Sequence, residues 1–296
     1  MPSKKLGFNL TLNRDTGTFG SPAWTPLIAL QGIKYNRAPA GTPDSSDRLT
    51  NLNSVLPTRY NLSVDADGLW NKGAGLTALR TAFLAGSVID LAVLDAQPAT
   101  AGVGHRGEWM VTKFMLDFPL VGDQKVSINI QPHANFASGH AVAAYTDATV
   151  SPGTAETPSN KREGYVASVN DSTHAPLTAI RDWKLNLEQT VFDASDRADK
   201  ISKILVTKLK ISAELNFIWD RGDTQLVALE TAFLAHNPVE LWLLDGAYAT
   251  SGSWGVHGDM AITDFPNAGN LEDGQNVSLK IEPHGNATNV ATFVTL

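Results

Sequence analysis

An internal repeat constrains this 296-residue chain more than any other feature of its sequence. Residues Leu76 to Gly102 lie over Leu226 to Gly252 without a gap, LTALRTAFLAGSVIDLAVLDAQPATAG against LVALETAFLAHNPVELWLLDGAYATSG. After a one-residue insertion the register resumes. Gly107, Thr112, Phe114, Leu120, Val126, Ser127, Ile130, Pro132 and His133 then meet Gly258, Thr263, Phe265, Leu271, Val277, Ser278, Ile281, Pro283 and His284. About 25 of roughly 58 aligned positions are identical, far more than shared periodicity alone would produce. Weaker matches extend to the rest of each half: Pro26-Leu27 over Pro176-Leu177, Asp47-Arg48 over Asp196-Arg197, Trp70 over Trp219, and Val142–Tyr145 over Val290–Phe293. The chain is a tandem duplication. Its expected organisation is a first copy over 1–146, a Ser/Pro/Gly/Thr-rich linker over 147–162, and a second copy over 163–296.

One copy reads as mainly β. Trp183, Leu185 and Leu187 alternate with Lys184, Asn186 and Glu188, and Leu209, Ile211, Ala213, Leu215 and Phe217 alternate with polar residues, the period of half-buried strands. Gln189 to Lys203, between them, shows no period. One helix is legible in each copy, carried by Leu76, Leu79, Ala82 and Phe83 and by Leu226, Leu229, Ala232 and Phe233. Asp223 or Thr224 is its expected N-cap in the second copy; Gly86 stops the first helix and Asn237-Pro238 the second. Strands follow around Val239–Leu244, His257–Phe265, Asn276–Glu282 and Val290–Val294. About seven strands and one helix per copy predict two tandem β-sandwich or barrel domains, each flanked by a short α-helix that packs through Leu76, Leu79 and Phe83 or Leu226, Leu229 and Phe233.

The chemistry of catalysis is missing. Cysteine is absent, which excludes thiolate catalysis, thiolate metal sites and disulfides. None of the seven histidines falls in an H-E-x-x-H pattern, and His133 and His284 repeat after a strand-ending proline, a structural role. Asp95 and Asp245 repeat at strand ends, where Asp accepts backbone N–H groups in turns. No G-x-S-x-G elbow is present, and no helix follows Gly102-Val103-Gly104 to cradle phosphate. No catalytic, metal or cofactor residue is therefore assigned, and the protein is not expected to be an enzyme. Near the N-terminus, Phe8, Leu10 and Leu12 alternate with Asn9, Thr11 and Asn13, a strand rather than a signal peptide. No apolar run approaches the ~20 residues that cross a bilayer, so no membrane partner is expected.

Net charge is −7 and uneven: residues 1–150 carry 12 Lys+Arg against 11 Asp+Glu, residues 151–296 carry 11 against 19. Such a chain is not built to grip nucleic acid, which takes clustered cations.

The order of motifs resembles a known family. An alternating strand pair leads to an Asp/Asn-bearing turn and a Leu-x-x-Leu-x-x-Ala-Phe helix. A buried strand ending in Asp95 or Asp245 follows, then a G-[ED]-x-x-[VI]-T-x-F strand and a V-S-[IL]-x-I-x-P strand. This is similar to the tail-tube proteins of tailed phages and phage-like particles, related to the tube proteins of type VI secretion and other contractile systems. The resemblance implies a virion protein assembled in the host cytoplasm. Six such domains form a ring, and stacked rings conduct double-stranded DNA without binding it specifically. A duplicated chain then needs three copies per ring, a homotrimer of pseudo-sixfold shape. Other implied partners are a tape measure, a tail terminator and a tail-tip or baseplate protein.

It also implies roles for residues. Asn61, Ser63 and Asp65, with Lys210, Ser212, Glu214 and Asn216, are candidates to face the lumen. Arg37, Asp47 and Arg48, with Asp193, Asp196 and Arg197, lie in the aperiodic segments Arg37–Pro57 and Gln189–Lys203, assigned to ring stacking. The alternative is a tandem β-sandwich binding module: an adhesin, a carbohydrate-binding protein or a particle decoration protein. Five tryptophans that do not repeat (Trp24, Trp109, Trp183, Trp242 and Trp254) are the residues such a module would use for sugar stacking.

Overall fold

Period-two alternation becomes strand throughout the computed structural model, which describes residues 10–27, 29–39, 60–95, 101–119, 123–133, 140–149, 165–167, 177, 179–194, 201, 203–218, 223–248, 251–270, 274–285 and 287–296. The chain runs β1 (Thr11–Asp15), β2 (Trp24–Pro26), β3 (Leu30–Pro39), β4 (Tyr60–Leu69), α1 (Ala74–Ala85), β5 (Ile89–Leu94), β6 (Ala101–Phe118), β7 (Lys125–Pro132) and β8 (Ala143–Thr149). It continues with β9 (Tyr165–Ala167), β10 (Ile180–Asp193), β11 (Ile204–Ile218), α2 (Thr224–Ala235), β12 (Val239–Leu244), β13 (Trp254–Asp264), β14 (Asn267–Asn270), β15 (Gly274–Pro283) and β16 (Thr292–Thr295). The fold is mainly β. Short β2 and β14 are the strands that the sequence pattern did not show.

Two compact units divide the chain. Unit 1 takes in Met1–Phe114, Val126–Thr157 and Glu188–Leu209; unit 2 takes in Met115–Lys125, Pro158–Leu187 and Lys210–Leu296. Strand pairing repeats between them. The order β3-β4-β7-β6-β5-β1, with β8 also on β6, has its counterpart in β10-β11-β15-β13-β12-β9, with β16 also on β13. The registers agree in detail: Arg106 faces Ala143 as His257 faces Thr292, and Gly104 faces Tyr145 as Gly255 faces Val294. Val142–Tyr145 therefore corresponds to Ala291–Val294, one residue later than the sequence alignment placed it.

The cores follow the alternation. In unit 1, Leu62, Val64 and Ala66 of β4 point inward beside Val126, Ile128 and Ile130 of β7, and Leu76, Leu79 and Phe83 bury the helix face. Trp70 meets the Phe114 ring edge-on at 5.8 Å, within the range that adds stabilisation beyond buried area. In unit 2, Ala213, Leu215 and Phe217 take the inward positions, and Leu226 and Leu229 are buried under α2. Phe233 is only half-buried, against Phe265 at 5.5 Å. Trp219 lies outside the described residues.

Helix ends differ between the copies. Asp223 caps α2, its carboxylate accepting from Gln225 N and Leu226 N, whereas Gly73 caps α1 without a side chain. Both C-termini enter the left-handed region, with Gly86 at φ 57° and His236 at φ 54°. The second helix is stopped by His236 rather than by Asn237-Pro238: His236 N donates to Phe233 O and Asn237 N to Ala232 O, so the turn is closed before the proline. A Cβ in that region costs free energy that glycine avoids. The substitution His236→Gly is expected to stabilise the protein by about 0.5–1 kcal/mol, and Gly86→Ala to destabilise it by a similar amount; chemical denaturation monitored by tryptophan fluorescence reads both.

Candidate functional site

The outward side chains of β3, β4 and β7 form a hydrogen-bonded polar face on unit 1. It arises from strand geometry, since every residue between two inward apolar positions must point out. Asp65 is its centre. Asn36 Nδ2 on β3 donates to Asp65 Oδ2 at 2.7 Å and Asn129 Nδ2 on β7 donates to Asp65 Oδ1 at 2.7 Å, so each carboxylate oxygen is held by a neighbouring strand. Asn36 also reaches Ser63 Oγ at 3.2 Å, and Ser127 Oγ donates to Asp67 Oδ1 at 2.5 Å. Gln131 Nε2 and Thr112 Oγ1 both donate to Asn129 Oδ1, at 3.1 and 2.5 Å. Such cross-strand pairs contribute roughly 0.2–1 kcal/mol each, and here they use up donors that would otherwise seek a ligand.

Unit 2 carries the equivalent face on β10, β11 and β15. Lys210, Ser212, Glu214 and Asn216 alternate with buried Ala213, Leu215 and Phe217. Asn216 Nδ2 donates to Asp182 Oδ1 at 2.5 Å, Lys210 Nζ lies 3.4 Å from Glu282 Oε1, and Glu214 stands opposite Lys280 in the ladder. A cleft of about 390 Å³ opens here between Arg181, Asp182, Asn216, Pro266 and Ser278. The face is charge-compensated rather than acidic: Lys184, Lys210 and Lys280 share it with Asp182, Glu214 and Glu282. The same holds on unit 1, where Lys34 stands opposite Asp65.

Of the ring-stacking candidates, Asp47, Arg48, Asp196 and Arg197 lie outside the described residues. Asp193 ends β10 at an exposed position, and Arg37 folds its guanidinium over the Tyr35 ring, 4.8 Å from the centroid. Burial pushes the Tyr35 hydroxyl up to about 12, with Arg37 opposing it.

A second repeated feature was not singled out in the sequence. Arg106, 5 % exposed, places Nη2 2.8 Å from Asp15 Oδ2 and 3.4 Å from Asp90 Oδ2. Its guanidinium lies under the rings of Phe19, Trp24 and Tyr145, at 4.0, 4.8 and 5.4 Å. At the equivalent positions His257 Nε2 meets Glu240 Oε1 at 2.7 Å and the imidazole stacks on Trp242 at 3.8 Å. An acid on one strand, a base on the next and an aromatic cover thus recur with different residues. The repeat alignment holds the signal: Asp90 over Glu240 and Arg106 over His257. Burial raises the Asp90 carboxyl above the usual carboxylate range, with Arg106 opposing, so Asp90 by itself makes stability fall as pH rises above its unfolded value.

The turn aspartates act as the sequence indicated: Asp95 Oδ1 accepts from Val103 N at 2.8 Å and Asp245 Oδ1 from Trp254 N at 2.6 Å. The unrepeated tryptophans are engaged by the protein itself. Trp109 is buried and donates to Leu91 O, Trp183 stacks on Phe118, Trp254 stacks on Phe293, and Trp24 and Trp242 cover Arg106 and His257. Among the described residues no three His, Asp or Glu side chains group as metal ligands.

Removing the buried cation leaves two carboxylates uncompensated, so Arg106→Met is expected to cost about 3–5 kcal/mol. The half-exposed pair should matter less, with His257→Gln costing under about 1 kcal/mol. Urea denaturation of both variants measures the difference.

No protein-family model matches the sequence, and no curated protein matches it. Among solved structures, a chain in the virion of a native gene transfer agent particle matches at 14 % identity and a TM-score of 0.37, over 46 % of this chain and 99 % of that one. A chain in the tail of an empty gene transfer agent particle, refined with helical C6 symmetry, matches at 14 % identity and a TM-score of 0.35, over the same shares.

Proposed function

We propose that the chain is a structural subunit of a phage-like tail tube: three copies form a pseudo-hexameric ring, and stacked rings make a hollow conduit for DNA. The observation that carries this reading is the polar, charge-compensated face repeated on the same three strands of both units. A conduit for a polyanion must be wetted yet must not hold it. Phosphate binding gains its free energy from counterions released at clustered Lys and Arg. On these faces lysines share the surface with carboxylates, and amide and hydroxyl groups bond one another, so a sliding duplex meets little attraction. The duplication supports the ring: two units of one topology present two versions of the same edge, and threefold repetition supplies six.

The residues proposed to line the lumen are Asn61, Ser63 and Asp65 with Lys210, Ser212, Glu214 and Asn216. The expected domain limits, 1–146 and 163–296, define the two ring positions. Electron microscopy of the purified protein over a range of concentrations tests the reading. End-on averages are expected to show a central hole and six lobes built from three chains. Two-lobed monomers at every concentration would overturn it.

A further inference from the structure

We propose that the β1–β2 connection, from Asp15 to Trp24, is a strap latched onto β6 by Arg106, and that proton uptake by Asp90 tightens the latch. The inference goes beyond the tube reading and does not depend on it.

The strap is anchored where it meets Arg106 and is otherwise open to solvent. Thr16, Gly17, Thr18, Gly20, Ser21 and Ala23 are exposed. Asp15, its side chain 4 % exposed, ties the two ends together. Its Oδ1 accepts from Gly17 N at 2.8 Å and from Ala23 N at 2.9 Å, and its Oδ2 accepts from Arg106 Nη2 at 2.8 Å. Phe19 reaches in from the middle of the strap, with its ring 4.0 Å from the guanidinium and stacked on the His140 imidazole at 3.6 Å. One buried cation thus holds a carboxylate at the base of the strap and an aromatic ring at its tip, a contact that gains strength when desolvated.

The charges around that cation do not balance. Arg106 supplies one positive charge to both Asp15 and Asp90, and Asp90 is the poorer partner, with Oδ2 3.4 Å from Nη2. Its other oxygen, Oδ1, is buried and accepts no hydrogen bond among the described residues. The same is true of Asn13 Oδ1, buried on this face, where Asn13, Ala92 and Arg106 form one row across β1, β5 and β6. Buried acceptors without donors are costly. A proton on Asp90 removes the surplus charge, turns one of these acceptors into a donor, and leaves Arg106 to Asp15 alone.

Burial is the largest influence on Asp90 and raises its carboxyl above the usual carboxylate range. Arg106 and His140 oppose the proton and Asp15 favours it; Glu108, opposite Asp90 on β6, is a further acid. β2 and β8 contribute the rings of Trp24 and Tyr145. The folded chain therefore binds this proton more tightly than the unfolded chain, and the latch loosens as pH rises through the folded value. Unit 2 does not reproduce the surplus. One acid, Glu240, meets one base, His257, and Ala167 stands opposite Trp242 where Asn13 stands opposite Ala92.

Exchange of the Gly17 and Ala23 amide protons reads the latch directly, because Asp15 Oδ1 holds both. In the full wild-type chain their protection is expected to rise as pH falls from about 8 to about 4.5. Asp90→Asn fixes the uncharged form. It is expected to raise protection at least about fivefold at pH about 8, the lower end of what one unsatisfied buried acceptor costs, and to abolish the pH response. His140→Gln is expected to keep the wild-type response. Protection that is flat with pH in the wild type, or equal in wild type and Asp90→Asn at the upper pH, would overturn the inference. So would a response that persists in Asp90→Asn and disappears in His140→Gln.

Discussion

Two glycine pairs let a single strand serve two sets of partners, and the rest of each unit is arranged around that strand. On β6, a Cβ at Gly104 would sit 1.7 Å from Val93 O, and one at Gly107 would sit 2.5 Å from Val142 Cα. On β13 the same contacts recur: Gly255 against Leu243 O at 1.8 Å and Gly258 against Ala291 Cα at 2.5 Å. No side chain fits there. The first part of each strand can therefore be pressed between β5 and β8, or β12 and β16, while its continuation pairs with β7 or β15. The polar face exists because that continuation places β7 beside β4, where Asn129 reaches Asp65.

Around this shared frame the copies have diverged where a local substitute is cheap. Asp223 replaces a side-chain-free N-cap, His236 replaces a left-handed glycine, and a histidine–glutamate pair stands where unit 1 holds a buried arginine between two aspartates. In the last of these the acid–base sense survives because both strand pairs keep their register. Divergence is larger at the end of α2, where the apolar residues Phe233, Ile262 and Phe265 are retained but are less deeply buried than Phe83, Val111 and Phe114.

Much of the fold was legible because its signals are local. The alternation of Trp183, Leu185 and Leu187, the spacing of Leu76, Leu79 and Phe83, and the turn aspartates all act through neighbours within a few residues. The alternation also told which side of β4 and β11 is open. Its misreadings were equally local. The helix stop was assigned to Asn237-Pro238 because proline is a strong signal, whereas His236 accepts the left-handed conformation first. The last strand was aligned one residue early because Val290–Phe293 resembles Val142–Tyr145 in composition, and only the ladder with β13 decides the register.

The duplication, the mainly-β class, the helix in each copy and the polar alternation of the strands that carry the open faces can all be read from the order of residues alone. These follow from periodicity, which is a property of consecutive residues. Which polar residues hold one another across strands, the charge compensation of the faces, and the burial of Arg106 between Asp15 and Asp90 come from the packing of distant segments. So does the place of Gln189, which opens an aperiodic stretch yet is buried against α1. Each of these depends on residues distant in the chain meeting in space, Gln189 and Phe83 across 106 positions and Arg106 and Asp15 across 91, and no local period records such a meeting.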